Sequence, residues 1–379
     1  MLCILNRGLK LKMTQMKRLA YYSTEQVSFD FNEILDENLD LNERIKTAFG
    51  PEGTGICTIK NVPNYKRARQ NLLNLSYQLA NLPQEEKAKL DRPEVKWSRG
   101  WQESKEHFGN KNDKLKSAFI ALPLREEETH LTQTQQQVLG DAASKLYQSG
   151  NVWPEGPLPT FKPHFKLLSN IMVDTSFLLA KHIDKYVSQV MTSYKRDTLY
   201  NLIKNNKDHV GRLNYYKSST DPITREDDWN SWHTDYSALS ALTPAIYITH
   251  DGYPVTFDDR KTGLFFKNRW GEKEHISADK DSIIFQIGES MQILSGGVLE
   301  ATPYCVSRSK KSQDLGLNRA TFQLYLVPPP EYKLFTPSGI DERYAYGRQI
   351  DQVPHITKRW NQGIPFATFQ QKTIQEYRI

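Results

Sequence analysis

From about residue 208 onward the chain breaks into short β-prone runs separated by turn residues, and this segmentation limits the fold more than any other feature. The runs cover residues 210–216, 245–250, 264–268, 282–287, 291–294, 302–307 and 321–327, punctuated by Gly252, Gly263, Gly271, Gly288, Gly296 and Gly297. Short strands at regular spacing with glycine turns predict a barrel or a double-sheet jelly roll. Pro328-Pro329-Pro330 stops the last run, because proline cannot donate to a ladder. Ahead of this region the apolar period is helical. Phe165, Leu168, Met172, Leu179, Ile183 and Tyr186 recur at threes and fours behind a first-turn Pro163, which predicts a helix over residues 165–186 packed on the outside of the sheet.

The remaining segments carry weaker signals. Residues 56–59 read as a short strand after the turn Gly53-Thr54-Gly55. Leu72, Leu73, Leu75, Leu79 and Leu82 form an apolar stripe between Pro63 and Pro83. Residues 91–125 read as loop with a solvated, lysine-rich surface, and residues 369–377 as a weak terminal helix. There is no internal repeat.

The totals exclude several classes. Hydrophobic residues make up 38% of the 379, enough for a large core, and a net charge of +6 is too mild on this length to argue for nucleic acid. The three cysteines, Cys3, Cys57 and Cys305, form no CxxC pair, which excludes a zinc ribbon or a disulfide framework and fits a reducing compartment. No window approaches the ~18 uninterrupted apolar residues of a transmembrane helix. The N-terminus holds Arg7, Lys10, Lys12, Lys17 and Arg18 with no acid before Glu25, interspersed with leucines. Such a segment reads as a mitochondrial targeting peptide, the alternative being a plain basic tail.

Chemistry concentrates in Ser231-Trp232-His233-Thr234-Asp235. On a strand, His233 and Asp235 share a face. A histidine and a carboxylate so placed are two thirds of the facial triad that holds iron in non-haem Fe(II) oxygenases.

Several further pieces, in order, carry a family resemblance. They are Gly55-Ile56-Cys57-Thr58-Ile59-Lys60, Leu82-Pro83-Gln84-Glu85-Glu86-Lys87, Gly100-Trp101-Gln102-Glu103-Ser104-Lys105, Arg212-Leu213-Asn214-Tyr215-Tyr216, Gly263-Leu264-Phe265, Ile287-Gly288-Glu289, Leu294-Ser295-Gly296-Gly297 and Arg319-Ala320-Thr321-Phe322. Over nearly everything after residue 45 the chain resembles the isopenicillin N synthase-like branch of the Fe(II)/2-oxoglutarate oxygenases. The resemblance implies an α+β fold, a double-stranded β-helix (jelly-roll) core with flanking helices and a helical N-terminal lead-in domain. It divides the chain into a presequence-like segment (1–24), a lead-in domain (25–207), the core (208–330) and a C-terminal extension (331–379). It implies Fe(II) on His233 and Asp235, and 2-oxoglutarate on Arg319, Thr321, Tyr216 and Asn214. Arg319 would grip the far carboxylate with a planar fork.

One position departs from the pattern. The family's Ala-Thr-Pro-His-Cys-Val is Ala301-Thr302-Pro303-Tyr304-Cys305-Val306 here. A phenol, with a reference pKa of about 10, must lose a proton to bind metal, and a bulky ring could fill the metal cavity instead. Three readings follow. The first is a catalytically inactive oxygenase fold serving as an accessory subunit of a mitochondrial assembly, in the matrix or on the matrix side of the inner membrane, with a respiratory-chain complex favoured and protein subunits as partners. The second is an active Fe(II)/2-oxoglutarate-dependent dioxygenase. The third is a metal-free 2-oxoglutarate sensor.

Overall fold

The computed structural model describes residues 26–377 apart from 109, 110, 126 and 349. The presequence-like segment, residues 1–24, lies outside the described residues.

Two β-sheets face each other. The strands that build them are β1 (Val27–Asp30), β2 (Ile56–Lys60), β3 (Gly100–Glu103), β4 (Lys116–Ala121), β5 (Val210–Tyr216), β6 (Asn230–His233), β7 (Leu239–Leu242), β8 (Ile246–Ile248), β9 (Gly263–Lys267), β10 (Lys273–His275), β11 (Ile283–Ile287), β12 (Tyr304–Ser307) and β13 (Asn318–Leu326). The major sheet runs β1-β2-β11-β7-β13-β5-β4-β3, with β8 also paired to β13, and the minor sheet runs β10-β9-β12-β6. Apart from β1 alongside β2, these pairings are antiparallel. Ile56, Leu242 and Ile284 of the major sheet pack against Leu264, Phe266 and Val306 of the minor sheet, so the space between the sheets is an apolar layer.

Strand β13 shows how the sequence makes these layers. Side chains alternate across a strand. Ala320, Phe322 and Leu324 enter the core on the outer face. Arg319, Thr321 and Gln323 point to the side facing the minor sheet, where they line a cavity.

The outer face is covered by helices. The helix expected over residues 165–186 is part of α3 (Phe161–Val190), which follows α1 (Tyr65–Leu73) and α2 (Gln133–Gln148). Phe165 of α3 meets Phe322 of β13 edge-on at 5.0 Å and Phe119 of β4 at 5.8 Å. This close approach explains Gly211 on β5, where a Cβ would come 2.7 Å from the Phe165 ring.

Two local expectations are corrected. Residues 91–125 are not loop: β3 and β4 extend the major sheet, and Lys116 is buried rather than solvated. Residues 291–294 are not a strand but lie in the short helix α4 (Glu289–Leu294), all six residues of which are buried. Within the expected lead-in domain, β1 to β4 join the major sheet and α3 stacks on its outside. The terminal helix is α5 (Phe366–Tyr377). Among the described residues no helix is long and apolar enough to cross a membrane.

Burial of Phe165 against two strands sets an expectation. Phe165→Ala should cost about 3–5 kcal/mol of unfolding free energy, as large aromatic truncations in cores do. Urea unfolding checks this, and a loss below about 1 kcal/mol would mean that the helix is not docked as described.

Candidate functional site

His233 closes β6 and faces Tyr304, the first residue of β12, across the ladder. Its Nδ1–H donates to the Ser231 carbonyl at 2.7 Å, which directs Nε2 toward Asp235, 4.0 Å from Oδ1. Burial pushes the imidazole down to about 3, so the ring is neutral at ordinary pH.

Asp235 follows the strand end, and both its oxygens are engaged. Oδ1 accepts from the Tyr304 hydroxyl at 2.8 Å, and Oδ2 accepts from Gln323 Nε2 at 3.0 Å. Gln323 Nε2 also donates to the Tyr304 oxygen at 2.9 Å, which closes a triangle. Burial raises the Asp235 carboxyl to about 6, against the lowering effect of hydrogen bonds from Ser240 and Tyr304. Burial, and then the Asp235 charge, push the Tyr304 phenol well above its usual range. Its ring centroid lies 4.2 Å from that of His233.

The anion residues sit two strand positions apart. Arg319 pairs with Tyr216 in the β13–β5 ladder and Thr321 with Asn214. The Arg319 guanidinium is buried, lies 5.2 Å over the Tyr216 ring and is hydrogen-bonded to the Tyr247 hydroxyl, yet its Nε and Nη1 have no partner among the described residues. Asn214 Oδ1 is likewise buried without one. Thr321 donates its hydroxyl to the Thr243 carbonyl at 2.7 Å. These groups line a cavity of about 220 Å³ between the sheets, with Tyr304 and Gln323 in its wall. His275 contributes to the wall with Nε2 3.1 Å from the Thr262 carbonyl, whereas His250 is exposed beside Asp251.

On the other side of His233 the space is nearly filled. About 40 Å³ remains among Glu106, Lys116, Arg212, His233 and Tyr377. Lys116 and Arg212 both bind Glu106, at 2.6 and 2.5 Å, and Lys116 also donates to Asn230 at 2.7 Å. Tyr377 of α5 stands edge-on to His233 at 6.5 Å.

Sequence reasoning placed His233, Asp235 and Tyr304 together, and Arg319, Thr321, Tyr216 and Asn214 together; the structure brings each set into one site. It missed Gln323, although the period-two run Arg319, Thr321, Gln323 already put that amide on the cavity face. It missed the Glu106–Lys116–Arg212 cluster, for which the sequence holds no local signal.

No protein-family model matches the chain, and no curated protein matches it. Solved structures do. A Caulobacter crescentus protein assigned to the 2OG-Fe(II) oxygenase family superposes with a TM-score of 0.65 at 16% identity, over 93% of this chain and 99% of that one. A full-length Neurospora crassa protein in complex with alpha-KG and thymine gives 0.63 at 16%, over 92% and 97%. JOX2 in complex with 2OG, Fe and JA gives 0.61 at 13%, over 92% and 85%. The chain therefore has the fold of the 2-oxoglutarate/Fe(II) oxygenases: a mixed α+β jelly roll dominated by one large antiparallel sheet.

The residues present can be tested against the groups that this fold implies. Arg319, a cavity-lining guanidinium whose buried Nε and Nη1 have no partner among the described residues, fits a carboxylate. The iron position does not fit. Among the described residues no three His, Cys, Asp or Glu side chains converge on one point. Tyr304 lies beside His233 with its hydroxyl donating to Asp235 Oδ1, and Gln323 donates to Oδ2, so neutral donors rather than a third ligand meet that carboxylate.

The raised Asp235 carboxyl makes stability depend on pH. Its protonated form is the better one in the fold, so its contribution is complete below the unfolded carboxylate pKa of about 4 and is lost as pH rises through about 6. Asp235→Asn should therefore lose less stability than the native chain between pH 5 and pH 7.5, a difference on the order of 1 kcal/mol or more. Parallel denaturation series at the two pH values measure it; identical slopes would mean that Asp235 does not carry this load.

Proposed function

We propose that this chain is an oxygenase-fold protein that binds a carboxylate in the Arg319 cavity and does not turn over 2-oxoglutarate. The observation that carries this reading is the Tyr304 hydroxyl on Asp235 Oδ1. That hydrogen bond satisfies the carboxylate and blocks the third metal position with a neutral phenol. Deprotonating the phenol would place a second negative charge against Asp235 in a buried site, which burial and that charge both oppose. Loss of even an outer-shell partner of a metal typically costs roughly 10–100-fold in affinity or activity, and loss of a direct ligand costs more.

An active Fe(II)/2-oxoglutarate-dependent dioxygenase is the second reading. It is favoured by the fold match to JOX2, whose complex holds 2OG and Fe, and by His233 and Asp235 facing each other at 4.0 Å. The likeness to solved oxygenases supports this reading more directly than it supports any accessory role. A mitochondrial location, and protein partners in a respiratory-chain assembly, rest on the basic, acid-free N-terminal composition alone and belong to the proposal.

Titration of the protein with Fe(II) under anaerobic conditions, followed by measurement of succinate from 2-oxoglutarate with ascorbate present, separates the two readings. The native chain is expected to bind Fe(II) weakly and to form no succinate above the protein-free background. Tyr304→His replaces the phenol by a neutral imidazole and should tighten Fe(II) binding by at least about tenfold, as restoring a ligand requires. Steady succinate formation by the native chain would establish the dioxygenase instead.

A further inference from the structure

The two ends of the Arg319 cavity differ in charge, and this difference bears on the ligand. At one end Arg319 presents Nε and Nη1 without partners among the described residues. Two alternations further along the same strand, on the same face, Gln323 stands with Tyr304 in the wall, and both donate to Asp235. Asn214, between the two ends, is a neutral amide. The other charges that act on Asp235 are Glu289, paired with Arg359, and Lys116, which with Arg212 is bound to Glu106 on the opposite side of His233. At the rim, Lys280 and Asp258 are exposed and the half-buried Asp259 is held by Thr262, so no net positive charge reaches inward from there. Between the ends the walls are apolar, formed by Leu242, Leu264, Ile276, Ile284 and Val306.

A dicarboxylate seated on Arg319 would direct its second carboxylate along the apolar walls toward Tyr304 and Gln323. Among the described residues no cation meets it there, and Asp235 stands directly behind. An unpaired charge buried beside a like charge is strongly disfavoured. A ligand whose far end is neutral meets no such penalty and gains from the apolar walls. We propose that the cavity takes a short monocarboxylate with an apolar body, and that it discriminates against dicarboxylates, 2-oxoglutarate included. This rests on the carboxylate-binding reading and narrows its ligand class.

Pentanoate and glutarate have the same chain length and differ in the second carboxylate, so they isolate the effect. Calorimetric titration of the full chain with pentanoate, glutarate and 2-oxoglutarate, at pH 7.5 with a chelator present, is expected to show pentanoate binding at least about tenfold tighter than either diacid. Arg319→Met should abolish binding of all three. Asp235→Asn removes the opposing charge without changing shape, and should raise glutarate affinity several-fold while leaving pentanoate within about twofold. If glutarate or 2-oxoglutarate binds as tightly as pentanoate, and Arg319→Met still removes it, the monocarboxylate inference is overturned and the carboxylate-binding reading stands. If none of the three binds, if Arg319→Met changes nothing, or if 2-oxoglutarate binds only in a parallel titration where Fe(II) replaces the chelator, both fall together.

Discussion

The period-two alternation of β13 is the constraint on which the rest of the molecule depends. This strand pairs with β5, β7 and β8, so its backbone is satisfied on both edges. With its direction and register held, each odd residue from 319 to 323 must point toward the minor sheet and each even one into the helical layer. A one-residue slip would exchange Phe322 for Gln323 in the core. The cost of burying that amide among aromatic rings is what pins the register. The same register that buries Phe322 against Phe165 places Arg319 in the cavity wall over Tyr216 and sets Gln323 beside Asp235.

The trio of Asp235, Tyr304 and Gln323 follows from that geometry. A buried carboxylate needs hydrogen-bond partners, cations or a metal. Here it has a phenol and an amide, both neutral donors. Such a network is stable when every member is satisfied and costly when one is removed. A metal held by His233 and Asp235 would have to share the carboxylate with the Tyr304 hydroxyl and the Gln323 amide. Two neutral donors thus close over the Asp235 carboxylate. The cavity around Arg319 has not been closed in this way, since its guanidinium retains two buried N–H groups without partners among the described residues.

Much of this was legible in the sequence, in proportion to how local each signal is. The short strands and the α3 stripe are periodic patterns within ten or twenty residues. His233 and Asp235 are read from a two-residue spacing, and Tyr304 as a misfit within a six-residue string. What that misfit does was not legible, because the answer lies in Gln323, which reaches Tyr304 only through the meeting of the two sheets. Lys116 was read as surface because it sits among other lysines. Its partners Glu106 and Arg212 are ten residues before it and ninety-six after it, and only the β4–β5 pairing brings them together. Residues 291–294 misled through their β-prone composition. The Gly288 peptide enters extended, and Glu289 then turns the chain into a helix so that its carboxylate can reach Arg359.

That last contact explains why the C-terminal extension is part of the site rather than an appendage. Arg359 is fully buried and donates to both oxygens of Glu289 at 2.7 Å, while Thr234 donates to Glu289 Oε1 at 2.6 Å. Thr234 lies between His233 and Asp235, so the His-x-Asp turn is held by a carboxylate whose charge is balanced from residue 359. Arg359 also donates to Thr373 Oγ1 of α5 at 3.0 Å, which fixes the helix that brings Tyr377 toward His233. Withdrawing the extension would leave Glu289 buried without its counter-charge, a change that typically costs about 3–5 kcal/mol. An element held this firmly does not behave as a lid over His233. The wall it forms there is as much a part of the fold as the strands beneath it, which leaves the Arg319 side as the open approach to the centre of the molecule.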